Sequence, residues 1–203
     1  MLHQYGSCTH GPAAGRPPRH DDLRDVLTRL VRFYLPNAGV SVDRSCPRCP
    51  AQHGKPRLLL DDGRESALRL SVAHARDITV FAFSSDADVG IDVETVRDDF
   101  DWAPMLDTVF SPAEQRETEA TTADDVSRRR RYYERWVAKE AVLKAIGVGV
   151  DGPIREVDTT GHHSSWDGWA VCPLRLELPT VGALACRQRP ERVRIFTTSS
   201  LPA

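Results

Sequence analysis

The stretch ADDVSRRRRYYERWVAKEAVLKAIG (123–147) reads as one long helix that stops at Gly147, and a helix of this length needs another layer to cover its apolar side. Val137, Ala141 and Leu143 are placed to face a core. Trp136, Glu140 and Lys144 fall at i, i+4 and i+8 and so form one stripe, with Lys139 beside it. The lysines stand out because the chain has only three, against 24 arginines. Two of them flank Glu140. A Glu-to-Lys pair four residues apart is also an ordinary surface bridge, but arginine would serve that purpose equally well. An ammonium differs from a guanidinium in that its pKa can be moved, so it can donate a proton.

The other segments alternate between helical and strand periods. DDLRDVLTRLVRFYL (21–35) has Leu23, Val26, Leu27, Leu30, Val31 and Tyr34 at helical spacing, and Pro36 and Asn37 stop it. GVSVDRS, KPRLLLD, LRLSVAH, ITVFAFS and DVGIDVE read as strands divided by turn residues. FSPAEQ opens a helix, with Ser111 as N-cap, Pro112 at the first position and Glu114 completing a capping box. WAVCPLRLEL, VGALACRQ and RVRIFTT read as later strands. Residues 1–20, rich in Gly, Pro and His, are expected to be irregular or disordered. The pattern predicts an α+β fold in two similar lobes, 21–105 and 106–203, with a groove between them.

Composition narrows the function. At 203 residues the chain is long enough for a real core, and a net charge of -2 gives no general reason to expect nucleic acid as partner. No run of 18 apolar residues exists, and the first 22 residues lack the apolar stretch of a signal peptide, so the expected location is the cytoplasm, off the membrane. The five cysteines, an odd count, argue against a disulfide framework. Cys46 and Cys49, in CPRC, have partial metal spacing with His53. A closed zinc site needs four ligands, usually as two pairs, and no second pair is present. The plainer reading is a turn before a strand; the other is a zinc site completed by Cys8 or His10. The missing pair and the charge balance also weigh against a zinc-ribbon nucleic-acid module.

VGIDVE (89–94) alternates Ile91 and Val93 with Asp92 and Glu94, so a strand presents the two carboxylates on one face. Adjacent like charges are tolerated when a cation lies between them or when one takes up a proton. Two hard oxygen ligands suit Mg²⁺ held together with substrate phosphates; a solvated polar strand face is the alternative. Gly90 allows close backbone approach. Lys55 lies in HGKPRL, where Gly54 and Pro56 fix the turn. His74, in LSVAHARD, ends a strand, a place where a structural histidine is commoner than a ligand. Together, strand and helix carboxylates for Mg²⁺, and lysines with a histidine for phosphate oxygens, describe phosphoryl transfer.

HGKP, VGIDVE, FSPAE and WVAKEAVLK, in this order and spacing, resemble the Sfp-type 4′-phosphopantetheinyl transferases over roughly residues 21–200. The resemblance implies a pair of pseudo-twofold-related α+β lobes with coenzyme A in the cleft. It implies Mg²⁺-dependent transfer of phosphopantetheine from coenzyme A to a serine of an apo acyl or peptidyl carrier protein, leaving adenosine 3′,5′-bisphosphate. Such a holo-[acyl-carrier-protein] synthase serves pathways such as polyketide or nonribosomal peptide biosynthesis, and a monomer suffices. By position, Asp92, Glu94 and Glu140 would hold the metal. Glu140 would also take the serine proton, and Lys144 would bind the pyrophosphate and protonate the leaving group. Lys139 would lie by the phosphates. His53, Gly54 and Lys55 would line the adenine and phosphate end, His74 would meet the 3′-phosphate, and Arg19 or His20 would supply a further basic contact.

The chain departs from the family pattern in two places. AHA (73–75) stands where relatives carry S-H-S or Y-H, which removes a phosphate-binding hydroxyl at Ala73, and an expected first strand is missing. These losses are the ground for an alternative, a degenerate relative that binds coenzyme A or carrier without transfer. Glu114 recurs in the family, but its capping box favours a structural role. RRRR (128–131) is either a docking patch for acidic carriers or a solvated helix face.

Overall fold

The computed structural model describes residues 2–5, 20–76, 78–85, 87–120, 124–149, 152–160, 165–177 and 179–197. In the first half these form β1 (Leu2–Tyr5), α1 (His20–Tyr34), β2 (Val40–Asp43), β3 (Arg57–Leu60), β4 (Arg69–Ala75), β5 (Ile78–Ser84) and β6 (Val89–Thr95). After them come α2 (Leu106–Val109), α3 (Pro112–Ala120), α4 (Asp125–Ile146), β7 (Ser165–Trp166), β8 (Trp169–Pro173), β9 (Thr180–Cys186) and β10 (Ile195–Thr197). Helices with small, mainly antiparallel sheets form, as the expected α+β class requires. No helix among the described residues is long and apolar enough to cross a membrane.

The strands pair as one sheet in the order β10-β1-β5-β4, a second in the order β6-β9-β8-β7, and the hairpin β2-β3. All pairings are antiparallel except β1 with β10. Period-two alternation turns these sheets into layers. Phe81 and Phe83 of β5 point to Leu30 and Val31 of α1, while Val80 and Ala82 point the other way, to Ile91 and Val93 of β6 and Leu184 of β9. On the far side of β9, Val181, Ala183 and Ala185 meet Val137, Ala141 and Val142 of α4. The order of layers is therefore α1, first sheet, second sheet, α4.

α4 is held at both ends by local chemistry. Asp124 caps its start, accepting the Ser127 N–H at 2.8 Å. Gly147 closes it in the left-handed region at φ 87°, its N–H donating to the Leu143 carbonyl at 2.9 Å.

Several expectations are corrected. Residues 2–5, expected to be irregular, form β1 between β5 and β10, and this supplies the first strand thought to be missing. The division at residue 105 is crossed twice: β6 pairs with β9, and β10 returns to β1. The strand expected through WAVCPLRLEL ends at Pro173, whose ring removes a ladder donor. α2 and the two-residue β7 had no periodicity long enough to be read.

Candidate active site

β6 lies between layers, which decides the fate of its acidic residues. Ile91 and Val93 are fully buried toward β4 and β5. Asp92 and Glu94 face α4 rather than open water, and Asp92 is only 6% exposed. Gly90 makes this approach feasible. A Cβ there would stand 2.0 Å from the Ala141 carbonyl oxygen and 2.4 Å from the Ala145 nitrogen, so only glycine admits the helix backbone.

Two residues of the α4 stripe meet these carboxylates. Lys144 Nζ donates to Asp92 Oδ1 at 2.6 Å. Glu140 is 4% exposed, and its Oε1 and Asp92 Oδ2 are buried without hydrogen-bond partners. Burial, and then the charge of Asp92, push the Glu140 carboxyl up to about 7, while Lys144 pulls back and Glu94 adds to the rise. Burial likewise pushes Asp92 up against the opposing Lys144 ammonium. Glu94 is raised by partial burial and by Asp92. Orphaned carboxylate oxygens in a like-charged cluster are what a divalent cation would satisfy, and hard oxygen donors suit Mg²⁺. The unpartnered oxygens of Asp92 and Glu140 are chemically suited to such an ion.

Lys144 also borders a cavity of about 270 Å³, lined among others by Arg44, Arg48, His53, Gly54, Lys55 and Gly147. Lys55 Nζ donates to Asp88 Oδ1 at 2.7 Å and to the Ala145 carbonyl at 2.6 Å, which ties the loop to the end of α4. Gly54 packs so closely that a Cβ would fall 2.4 Å from the Ser45 carbonyl oxygen. The wall is basic and suits an anionic ligand. Arg44 and Arg48 were not picked out from the sequence; their only signal was their place on either side of Cys46, in a chain where arginine is common.

Other candidates lie elsewhere. Lys139 is 0% exposed and donates to Glu114 Oε2 at 2.8 Å, the Ile154 carbonyl at 3.1 Å and the Val157 carbonyl at 2.5 Å. With all three donors engaged in the interior, it is not a phosphate contact. Its lysine identity follows from this nest, which a planar guanidinium would not fit. Glu114 has the structural part its capping box suggested. It accepts the Ser111 N–H at 2.8 Å and the Thr159 N–H at 2.8 Å; burial pushes its carboxyl up, but Lys139, the Thr159 hydroxyl and the Ser111 N–H together outweigh that and hold it below the usual range.

His74 is exposed on β4 with Nδ1 2.9 Å from Thr79 Oγ1, and it is not among the residues lining the cavity. Ala73 and Ala75 face the core with Val80 and Val93, so a hydroxyl at Ala73 would enter the core rather than meet a phosphate. Arg19, Cys8 and His10 lie outside the described residues. His20 starts α1. Among the described residues, the one group of three metal-ligating side chains with all ligand atoms within 4.8 Å of one another is Cys46, Cys49 and His53; the three carboxylates are more widely spread.

Comparisons with known proteins bear on this region. The family model of the 4′-phosphopantetheinyl transferase superfamily matches residues 88–180, from the entry to β6 through α4 to the start of β9. The 4′-phosphopantetheinyl transferase AcpT of Escherichia coli strain K12 is 30% identical over 113 residues, covering 56% of this chain and 54% of AcpT. HetI of Nostoc sp. strain PCC 7120, also named a 4′-phosphopantetheinyl transferase, is 29% identical over 144 residues, covering 62% and 60%. AcpT of Salmonella typhimurium is 28% identical over 109 residues, covering 54% and 53%. The chain therefore spans little more than half the length of these relatives. The stretch similar to the 4′-phosphopantetheinyl transferase superfamily, residues 88–180, is the one that holds Asp92, Glu94, Glu140 and Lys144.

Proposed function

We propose that this protein transfers the 4′-phosphopantetheine group of coenzyme A to a serine of an apo acyl or peptidyl carrier protein, leaving adenosine 3′,5′-bisphosphate. The observation that carries the proposal is the meeting of β6 and α4. There, buried orphaned oxygens of Asp92 and Glu140 lie beside Lys144, at the edge of a basic cavity.

Asp92, Glu94 and Glu140 would hold Mg²⁺, which when bound supplies charge neutralisation for the pyrophosphate. Lys144 is within reach of both the carboxylates and the cavity, so it can bind the pyrophosphate and protonate the leaving phosphate oxygen. Glu140, ionised beside the metal, would take the serine proton, directly or through a water. The serine oxygen forms the new bond to phosphorus as the bond to the leaving oxygen breaks. Lys55, Gly54 and the His53 segment line the adenine and phosphate end, with Arg44 and Arg48 adding charge. His74 remains the proposed contact for the 3′-phosphate, with Arg19 or His20 as a further basic contact to coenzyme A, and Lys139 is reassigned to the interior. Each sheet carries one long helix on its outer side, an arrangement that supports two α+β lobes with a cleft between them. The same reading includes the Sfp-type assignment and a cytoplasmic monomer serving fatty acid, polyketide or nonribosomal peptide synthesis.

The test is incubation with coenzyme A, Mg²⁺ and a panel of apo carrier proteins, read by intact mass. Gain of one phosphopantetheine arm on a carrier, lost when Mg²⁺ is chelated, is the expected result. Coenzyme A binding with no mass gain on any carrier would instead favour a binding protein without transfer.

A further inference from the structure

The loop Arg44–Pro56 joins β2 to β3 without regular structure, and most of its residues are exposed. Irregular stretches of this length are uncommon in compact domains unless something orders them. Lys55 ties its end to α4, and other contacts lie within it or reach Val148. Gly54 N–H donates to the Arg44 carbonyl at 2.7 Å, Cys46 N–H to the Ala51 carbonyl at 3.1 Å, and Arg48 Nη2 to the Val148 carbonyl at 2.9 Å. This loop forms one wall of the basic cavity and carries Lys55.

Within it three soft or borderline ligands converge. Cys49 Sγ lies 3.0 Å from His53 Nε2, and these two atoms and Cys46 Sγ all lie within 4.8 Å of one another. Zinc bonds of about 2.3 Å to sulfur and about 2.0 Å to nitrogen set tetrahedral ligand separations of about 3.5 to 3.8 Å, a small adjustment from this arrangement. The backbone also supports a thiolate. Arg48 N–H donates to Cys46 Sγ at 3.4 Å.

We propose that Cys46, Cys49 and His53 bind a zinc ion that fixes the Arg44–Pro56 loop against the C-terminal end of α4. Two thiolates and an imidazole select zinc over the hard cations that the carboxylate cluster suits. Three protein ligands leave one tetrahedral position, which in sites of this kind a water fills. His53 then serves the cavity by holding the loop, with its imidazole turned to the metal. The site stands on its own ligands and does not depend on the transferase reading.

Metal content of the purified full chain, kept reduced and dialysed after brief exposure to Zn²⁺, tests the proposal. About one zinc per chain is expected, falling to background in Cys46→Ser, Cys49→Ser and His53→Asn and retained in Cys172→Ser. Co²⁺ added to the unaltered protein gives the thiolate charge-transfer and tetrahedral bands, a readout that needs no variant to fold. Stripping the zinc speeds hydrogen exchange across residues 44–56, and replacing it restores protection. Absence of both bound zinc and the cobalt bands, zinc retained by the Cys46→Ser/Cys49→Ser double variant, or exchange in the loop unchanged by zinc would each overturn it. Failure of transfer by a zinc-loaded protein would count against the transferase reading and leave the site intact.

Discussion

Glu140 faces opposing demands: its Oε1 is buried without a partner, yet a metal would need the carboxylate ionised. In the metal-free chain its carboxyl stands near 7, above the usual glutamate value of 4.5. Below that usual value both folded and unfolded chains hold the proton and the group contributes nothing to stability. Between the two values the unfolded chain has lost a proton that the folded chain keeps, so stability falls as pH rises through this window and levels off above about 7. The fall from this one group is on the order of 3 kcal/mol at most. Urea unfolding in chelator at pH 5 and pH 8 should show it, and Glu140→Gln should flatten it to the shares of Asp92 and Glu94. The same variant should lose transfer activity and the stabilisation by Mg²⁺. Lys144→Arg tests the companion residue. It keeps the charge beside Asp92 but replaces a compact proton donor by a group that stays protonated, so kcat is expected to fall about 10- to 100-fold with the fold intact. Unchanged kcat would mean that charge alone matters at this position.

At the scale of elements, the strands and helices with a clean period were legible. ITVFAFS is β5 to the residue, and the caps Ser111 and Gly147 stand where the sequence put them. β6 was legible as a strand, but its environment was not. Alternating acids suggested one wet face, whereas layers on both sides bury it, and only the covering helix reveals that. Lys139 was misplaced for a related reason. Its partner Glu114 is distant along the chain, and no local pattern announces a pairing across α3 and α4. Both side chains are fully buried, so removing one strands the other charge. Lys139→Met is expected to cost about 3–5 kcal/mol, and the double change Lys139→Met/Glu114→Gln should recover part of that loss. Chemical denaturation of the two variants measures the difference. An equal loss in single and double variants would mean that packing, not the buried charge, dominates at this contact.

For the molecule as a whole, charge bears on the proposed carrier partner. RRRR (128–131) suggested a strongly basic face, but folding surrounds it with the chain's own acids. Arg129 meets Asp98 at 2.9 Å and Asp125 at 3.0 Å, Arg130 meets Glu134 at 2.9 Å, and Arg131 meets Glu134 at 3.2 Å. Such pairs lower the field that an approaching protein feels, though Arg130 and Arg131 still edge a groove that also presents Arg135 and Arg175. This groove runs between α4 and β8–β9, away from the cavity lined by Lys55, so charge changes here should act on the carrier and not on coenzyme A. With Arg130→Glu/Arg131→Glu, the KM for an acidic carrier is expected to rise about 5- to 10-fold, and more steeply at low salt, because long-range attraction is screened as ionic strength grows. The KM for coenzyme A should stay within error, while the midpoint of unfolding should fall slightly, since each reversal sets a glutamate beside Glu134. A carrier KM that ignores both the reversal and the salt would assign this helix face to solvent and move the docking surface elsewhere.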